Sequence, residues 1–208
     1  MNYKIQVAVR PQLADVLGQQ LQNNAKRFFG IDTGKVKSST VYSIGYQIDE
    51  QQLNNFATLC LQDEVVNTIT INTLHNANAY QSYIAIAKLP GVTDDEGISA
   101  QKALADYLNA DIDTNTQHIF SQQLYYIEAA LSEEELKQLA SELLGNKLIH
   151  HFQYGQQPNL LTINDLYVPT VRMTTDDTVG VIDLNLDDEA LLKLSKKMVL
   201  ALNLNEMK

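Results

Sequence analysis

A mixed α+β fold built from one unit used twice is what the sequence predicts, on three observations. Val41–Thr70, shifted by 83 residues, falls on Leu124–Gln153 with six of thirty positions identical: Tyr42/Tyr125, Ile44/Ile127, Glu50/Glu133, Leu53/Leu136, Ala57/Ala140 and Leu61/Leu144. Apolar character also coincides at Ile48/Leu131, Phe56/Leu139, Cys60/Leu143, Val66/Ile149 and Ile69/Phe152. Further upstream, Pro11, Asp15, Gly18 and Gln22 fall on Pro90, Asp94, Gly97 and Gln101 at a shift of 79. Self-similarity with a long period marks one supersecondary unit repeated. The change from 79 to 83 implies four extra residues in the second copy, within Asp111–Thr116.

Each copy opens with alternation: Ile5, Val7 and Val9 share one face of an extended segment, as do Ile84 and Ile86. Pro11 and Pro90 end those strands, because proline has no N–H to give a ladder. A helix follows, with the stripe Leu21, Ala25, Phe28, Phe29 in one copy and Ala100, Leu104, Tyr107, Leu108 in the other, a spacing that places each set on one helical face. Tyr42, Ile44, Tyr46 and Ile48 alternate next, as do Tyr125, Ile127, Ala129 and Leu131; the run Lys35–Ile48 is long enough to be one strand or to bend into two. A second helix starts at a capping box, Ser132 with Glu135 in one copy and Asp49 with Gln52 in the other. Its buried face is expected to carry Leu53, Phe56 and Cys60, and in the second copy Leu136, Leu139 and Leu143. A last strand, Val65–Asn72 or Leu148–Tyr154, closes each unit.

The expectation is therefore β-α-β-α-β, or β-α-β-β-α-β, twice: repeat 1 over 1–73, repeat 2 over 82–155, joined by the polar connector Leu74–Gln81. A sheet with helices on one face leaves its other face bare, and two copies packed together cover it. This predicts two tandem ferredoxin-like units related by a pseudo-twofold axis. Ile5, Val7, Ile44 and Ile48 should share a core with Leu21, Phe28, Leu53 and Phe56. Ile84, Ile86, Ile127 and Leu131 should do so with Leu104, Leu139 and Leu143. Residues 156–208 read as a partly helical linker: an irregular stretch Gln156–Pro169, a short strand in Val179–Leu184, and a helix begun by Asp187-Asp188-Glu189 with acids at its positive end. A further capping box, Asn203 with Glu206, stands so close to Lys208 that the chain reads as a fragment of a longer protein.

Composition narrows the function classes. The 208 residues are 45% hydrophobic with net charge −10, and Lys26-Arg27 and Lys196-Lys197 are isolated basic pairs, so nucleic acid and anionic membrane are poor partners. There is no apolar signal segment and no run near the ~20 residues that span a bilayer, and a single cysteine gives no intrachain disulfide; the reading is cytoplasmic.

Candidate chemistry is sparse. Gly30-Ile-Asp-Thr-Gly34-Lys35 has three residues between its glycines and Val36 after the lysine, where a phosphate loop needs four and a Ser or Thr; it reads as a helix-to-strand turn with Gly30 at the helix end. Cys60 matches Leu143 and reads as core packing rather than a nucleophile. His150 and His151 are neighbours on a strand and point to opposite faces, so they do not chelate one ion. Asp15 and Asp94, each three before a glycine, read as helix caps before catalytic acids. The acids Glu133–Glu135 are a solvated helix start. No catalytic, cofactor-binding or metal-binding residue is assigned.

The motifs Val9-Arg-Pro…Asp15-x-x-Gly18 and Leu89-Pro-Gly-Val-Thr-Asp94-x-x-Gly97, with Leu143-Leu-Gly-Asn-Lys-Leu-Ile149, resemble PurS, the small non-catalytic subunit of phosphoribosylformylglycinamidine synthase. Lys147 and Glu64 stand where that family has proline. The stretch Val181–Lys208 is similar to the segment leading into the synthetase domain of fused enzymes. The resemblance implies the non-catalytic N-terminal part of an ATP-dependent ligase of purine biosynthesis. Such a part would have no activity of its own, would dock a glutaminase domain or subunit, and would help enclose the ammonia path. ATP and magnesium would belong to a synthetase domain beyond this stretch. The alternative is a stand-alone tandem ferredoxin-like regulatory module that senses a small molecule between its copies.

Overall fold

Residues 3–75, 79–113, 118–156, 162–170, 182 and 184–207 are described by the computed structural model. The alternating run Tyr3–Val9 forms strand β1, and Val36–Ile44 forms β2, a single unbroken strand that pairs antiparallel with β1. Asn67–Ile71 is β3, on the other side of β1. The pattern recurs with Ser82–Lys88 (β4), Ile119–Ile127 (β5) and His150–Gln156 (β6). All six strands lie in one antiparallel sheet, in the order β3-β1-β2-β5-β4-β6. The pair Ile5↔Tyr42 in β1–β2 has its counterpart in Ile84↔Tyr125, and Ile5↔Ile71 in Ile84↔Tyr154, each at the sequence shifts of 79 and 83. The halves therefore meet edge to edge through β2 and β5, within one sheet, and not as two sheets laid on each other. At the middle of that pairing Thr40 faces Gln123, 83 residues on, and the Gln123 amide donates to the Thr40 hydroxyl at 2.9 Å.

The helices are Val16–Asn24 (α1), Glu50–Phe56 (α2), Asp95–Leu108 (α3) and Glu133–Leu139 (α4). Both expected capping boxes are present, Asp49 with Gln52 and Ser132 with Glu135. Helices α1, α2 and α4 each run into a five-residue π turn, Ala25–Phe29, Ala57–Leu61 and Ala140–Leu144. A π turn bonds i to i+5, so one extra residue enters and the buried face moves on by one position. This corrects two sequence expectations. Phe28 is 58% exposed, with the Arg27 guanidinium 5.3 Å over its ring, while Phe29 packs on the core. Cys60 is exposed, and Leu61 packs inward in its place.

The helix partners also differ from expectation. One cluster joins Ile5, Ile44, Ile48, Leu53 and Phe56 to Leu104 and Ala100 of α3. The other joins Ile84, Ile86, Ile127, Leu131 and Leu139 to Leu21 and Ala25 of α1. Leu21 thus belongs to the half containing β4, and Leu104 to the half containing β1, the reverse of the sequence reading. The cause is the central strand pair: α1 and α3 start beside β2 and β5 and lean across the seam onto the neighbouring half. The remaining face of the sheet has its own cluster, in which Val41, Leu124, Tyr83, Ala85 and Tyr126 are covered by Ile163 and Leu166, with Leu74 and Tyr80 beside them.

The chain divides into two compact units at Val171/Arg172. In the second, Asp188–Lys197 is helix α5, capped by Asp187, and Leu204–Met207 is α6. Asn203 and Glu206 exchange the two bonds of the expected capping box. The strand expected in Val179–Leu184 lies largely outside the described residues, as does half of the stretch Asp111–Thr116 in which the insertion is expected. Among the described residues no helix is long and apolar enough to cross a membrane.

Candidate functional site

Asp15 and Asp94 do more than cap. The Asp15 carboxylate accepts from Gly18 N at 2.8 Å, as an N-cap does. It also accepts from the Ser38 backbone N–H at 2.5 Å and the Ser38 hydroxyl at 2.7 Å. Asp94 repeats this with Gly97 N at 2.9 Å, Ser121 N at 2.6 Å and the Ser121 hydroxyl at 2.7 Å. Each carboxylate therefore fastens a helix start to a central strand. The glycines are required by the same contact: a Cβ on Gly18 would stand 2.4 Å from Val36 O, and one on Gly97 2.5 Å from Ile119 O. Both aspartates are buried, and each accepts three hydrogen bonds within the fold.

The other candidates separate in space. In the turn after α1, Gly30 (φ 70°) ends the π turn. Gly34 N donates to Asp32 and Lys35 N to Glu128 Oε2 at 2.7 Å, so its N–H groups face carboxylates, the opposite of a phosphate cradle. Lys26 pairs with Asp32 at 2.9 Å. Though Cys60 is exposed, its slight desolvation against the helix face pushes the thiol up, away from the thiolate a nucleophile needs. His150 and His151 do point apart. His150 Nδ1 accepts from Asn146 N and its Nε2 lies 2.9 Å from the Lys88 ammonium; partial burial first, and that charge second, hold the ring below the usual histidine range. The His151 ring stacks on Tyr167 at 3.9 Å. Among the described residues no group of three or more His, Cys, Asp or Glu is placed to hold a metal ion.

What the sequence reading missed is the sheet face opposite the helices. Lys4 (4% exposed) and Gln6 (1%) alternate with apolar residues along β1, Ser39 and Gln122 stand in polar runs of β2 and β5, and all four look solvent-facing, yet all are buried. The segment Thr162–Tyr167 lies over this face and is held by its backbone. Lys4 Nζ donates to Leu166 O at 2.6 Å and Gln122 Nε2 to Tyr167 O at 3.3 Å, while Gln153 donates to Asp165 O and accepts from Tyr167 N at 2.7 Å. Burial lowers the Lys4 pKa to about 8, against a smaller raising effect of Asp165. On the first half the connector takes the matching role: His75 N donates to Gln6 Oε1 at 2.7 Å, and Tyr80 stacks on Tyr126 at 5.6 Å. The arrangement recognises extended backbone. The chain matches no family model and no curated protein.

Proposed function

We propose that this chain is the non-catalytic N-terminal segment of a cytoplasmic, ATP-dependent phosphoribosylformylglycinamidine synthase of purine biosynthesis, docking the glutaminase and helping to enclose the ammonia path. The resemblance at Asp15-x-x-Gly18, Asp94-x-x-Gly97 and Leu143–Ile149 suggests it, and one structural observation carries it: the central strands pair with Thr40 opposite Gln123, its own equivalent under the repeat. On this reading the two halves are tandem ferredoxin-like copies related by a pseudo-twofold axis through that pair, a PurS-like dimer written into one chain.

Fusion converts subunit association into an intramolecular contact at high effective concentration. It also frees the copies to diverge. Val9, Val16 and Leu17 of the first copy correspond to Lys88, Asp95 and Glu96 of the second. Val16 and Leu17 are exposed, so matching surfaces present apolar side chains on one half and charges on the other. Divergence of that kind suits a bridge between unlike partners. The synthetase domain of the same chain and the glutaminase are the partners proposed, with ATP and magnesium bound by the synthetase domain. The test is association: sedimentation of this chain with the separately expressed synthetase domain and glutaminase should give a ternary complex, and glutamine-dependent amidation by the two enzymes should rise when the chain is added. Absence of any complex, with amidation unchanged, refutes the proposal.

A further inference from the structure

Between the connector and the first half of the sheet lies a cavity of about 110 Å³, lined among others by Gln6, Lys37, Ser39, His75, Tyr80 and Tyr126. Most of its polar lining is already bonded: Gln6 donates to Ser39 and accepts from His75 N. Tyr126 is the exception. It is 4% exposed; the Gln6 amide approaches its oxygen as a donor, but its O–H finds no acceptor, a costly state for a buried donor. Burial pushes its pKa up to about 12, so the hydroxyl keeps its proton throughout neutral pH and is free to donate. Lys37, at the same cavity, makes no ion pair among the described residues.

The second half shows what such a place accepts. Ala8, Lys37 and Ser39 correspond to Ala87, Phe120 and Gln122. There Gln122 receives the carbonyl oxygen of Tyr167, whose ring lies on His151. Phe120 and Tyr167 thus stand on the second half where the first has Lys37 and a cavity. A carbonyl-type oxygen is the group the matching position takes, and Lys37 adds a positive charge that Phe120 does not.

We propose that this cavity binds a small carboxylate, its oxygens held by the Tyr126 hydroxyl and the Lys37 ammonium and its carbon end against Pro11 and Tyr80. One ammonium and one hydroxyl suit a monoanion better than a phosphate, which calls for more donors. The enclosed part of the ligand is small: apolar cavities of about 150 Å³ accept benzene, so this smaller, partly open one surrounds roughly six non-hydrogen atoms or fewer. The site joins the two halves, since Tyr126 belongs to β5 and the rest to the first half and connector. It does not depend on the docking reading, and its failure would leave that reading untouched.

Propionate is the probe and propionamide its neutral counterpart. Titrated into the intact chain, propionate should shift the ring resonances of Tyr126 and Tyr80 saturably, with a Kd on the order of 1 mM for a ligand of this size. Propionamide should bind at least about tenfold more weakly. Tyr126→Phe removes one atom and leaves the ring in place; it should weaken propionate roughly tenfold while the urea midpoint holds or rises, since the unpaired hydroxyl goes with it. Lys37→Met should weaken propionate by a similar factor and abolish the preference over propionamide. The proposal is overturned if propionate does not saturate up to roughly 50 mM, if Tyr126→Phe binds as tightly as wild type, or if propionamide binds equally well.

Discussion

Replacing Asp15 separates a helix cap from a helix-to-strand clamp. Asp15→Ala removes the acceptor for Gly18 N, a loss of about 1 kcal/mol for an N-cap. It also strands the buried Ser38 N–H, at a cost of about 1–3 kcal/mol, while the Ser38 hydroxyl is able to turn elsewhere. The sum is about 2–4 kcal/mol, or a fall of about 1–2 M in urea midpoint for a typical slope. Asp15→Asn is the sharper variant. Asparagine is as good an N-cap as aspartate, so a residue that only caps would tolerate it. Here one carboxylate oxygen takes Gly18 N and the other takes Ser38 N, and an amide would set an NH₂ against one of those two N–H donors. Asp15→Asn should therefore cost at least about 1.5 kcal/mol. Equilibrium urea unfolding, followed by far-ultraviolet circular dichroism with unchanged slope, is the assay. An Asp15→Asn midpoint indistinguishable from wild type would refute the clamp and leave only the cap.

Further expectations follow from the π turns, the buried lysine and the missing chemistry. Cys60→Ala should change stability by no more than about 0.5 kcal/mol, because the thiol is exposed, whereas Leu53→Ala, 1% exposed, should cost about 2–5 kcal/mol in the same denaturation assay. Lys4 has a folded pKa lowered to about 8 from 10.5, so the folded state binds fewer protons than the unfolded one between those values and stability should rise with pH there. Lys4→Met should lack that rise, measured up to about pH 9.5, before the buried Tyr42 and Tyr126, whose pKa values are raised, begin to reverse it as the unfolded tyrosines ionise. The purified chain should hydrolyse neither ATP nor glutamine; turnover abolished by a point substitution within residues 1–208 would contradict the reading of Asp15, Cys60 and Asp94 as structural.

Local signals in the sequence were strong and proved sufficient for strands and helix starts. Alternation at Ile5/Val7 and Ile84/Ile86 marks β1 and β4, and three capping boxes begin helices where the residue types require them. The helix ends were less legible. A 3.6-residue period carried through Cys60 and Phe28 has no means of registering the residue that a π turn inserts, so it points both side chains inward where the structure turns them out. The covered polar face was hidden for another reason. Lys4 and Gln6 obey the polar-outside rule of a half-buried strand, and the segment that covers that face arrives from far along the chain, with Lys4 bonded to Leu166, 162 residues away. No local pattern reports a contact of that span. The one available hint was chemical: long amide and ammonium side chains on the otherwise apolar strand β1 are suited to meet backbone carbonyls.

The exchange of helices across the seam was beyond pattern altogether, and the reason is quantitative. The stripes of α1 and α3 are alike in type, with Leu21 and Ala25 at the positions of Ala100 and Leu104, large and small in reversed order. Either stripe would satisfy the hydrophobic period over either half, and the difference between the two arrangements is a matter of a few methylenes, each worth about 0.8 kcal/mol. What decides between them is geometry set elsewhere. Asp15 and Asp94 fix each helix start to β2 and β5, the strands that meet at Thr40 and Gln123. A helix anchored beside the seam and too close to its strand for even a Cβ at Gly18 or Gly97 runs across that seam and not back over its own edge. The two halves are then held together by the ladder between β2 and β5 and by two crossing helices. Neither half keeps a complete core when separated, because Leu21 and Leu104 each leave with the wrong partner. The unit that folds is accordingly the pair, and the surfaces on which the halves differ are presented in fixed relation to each other.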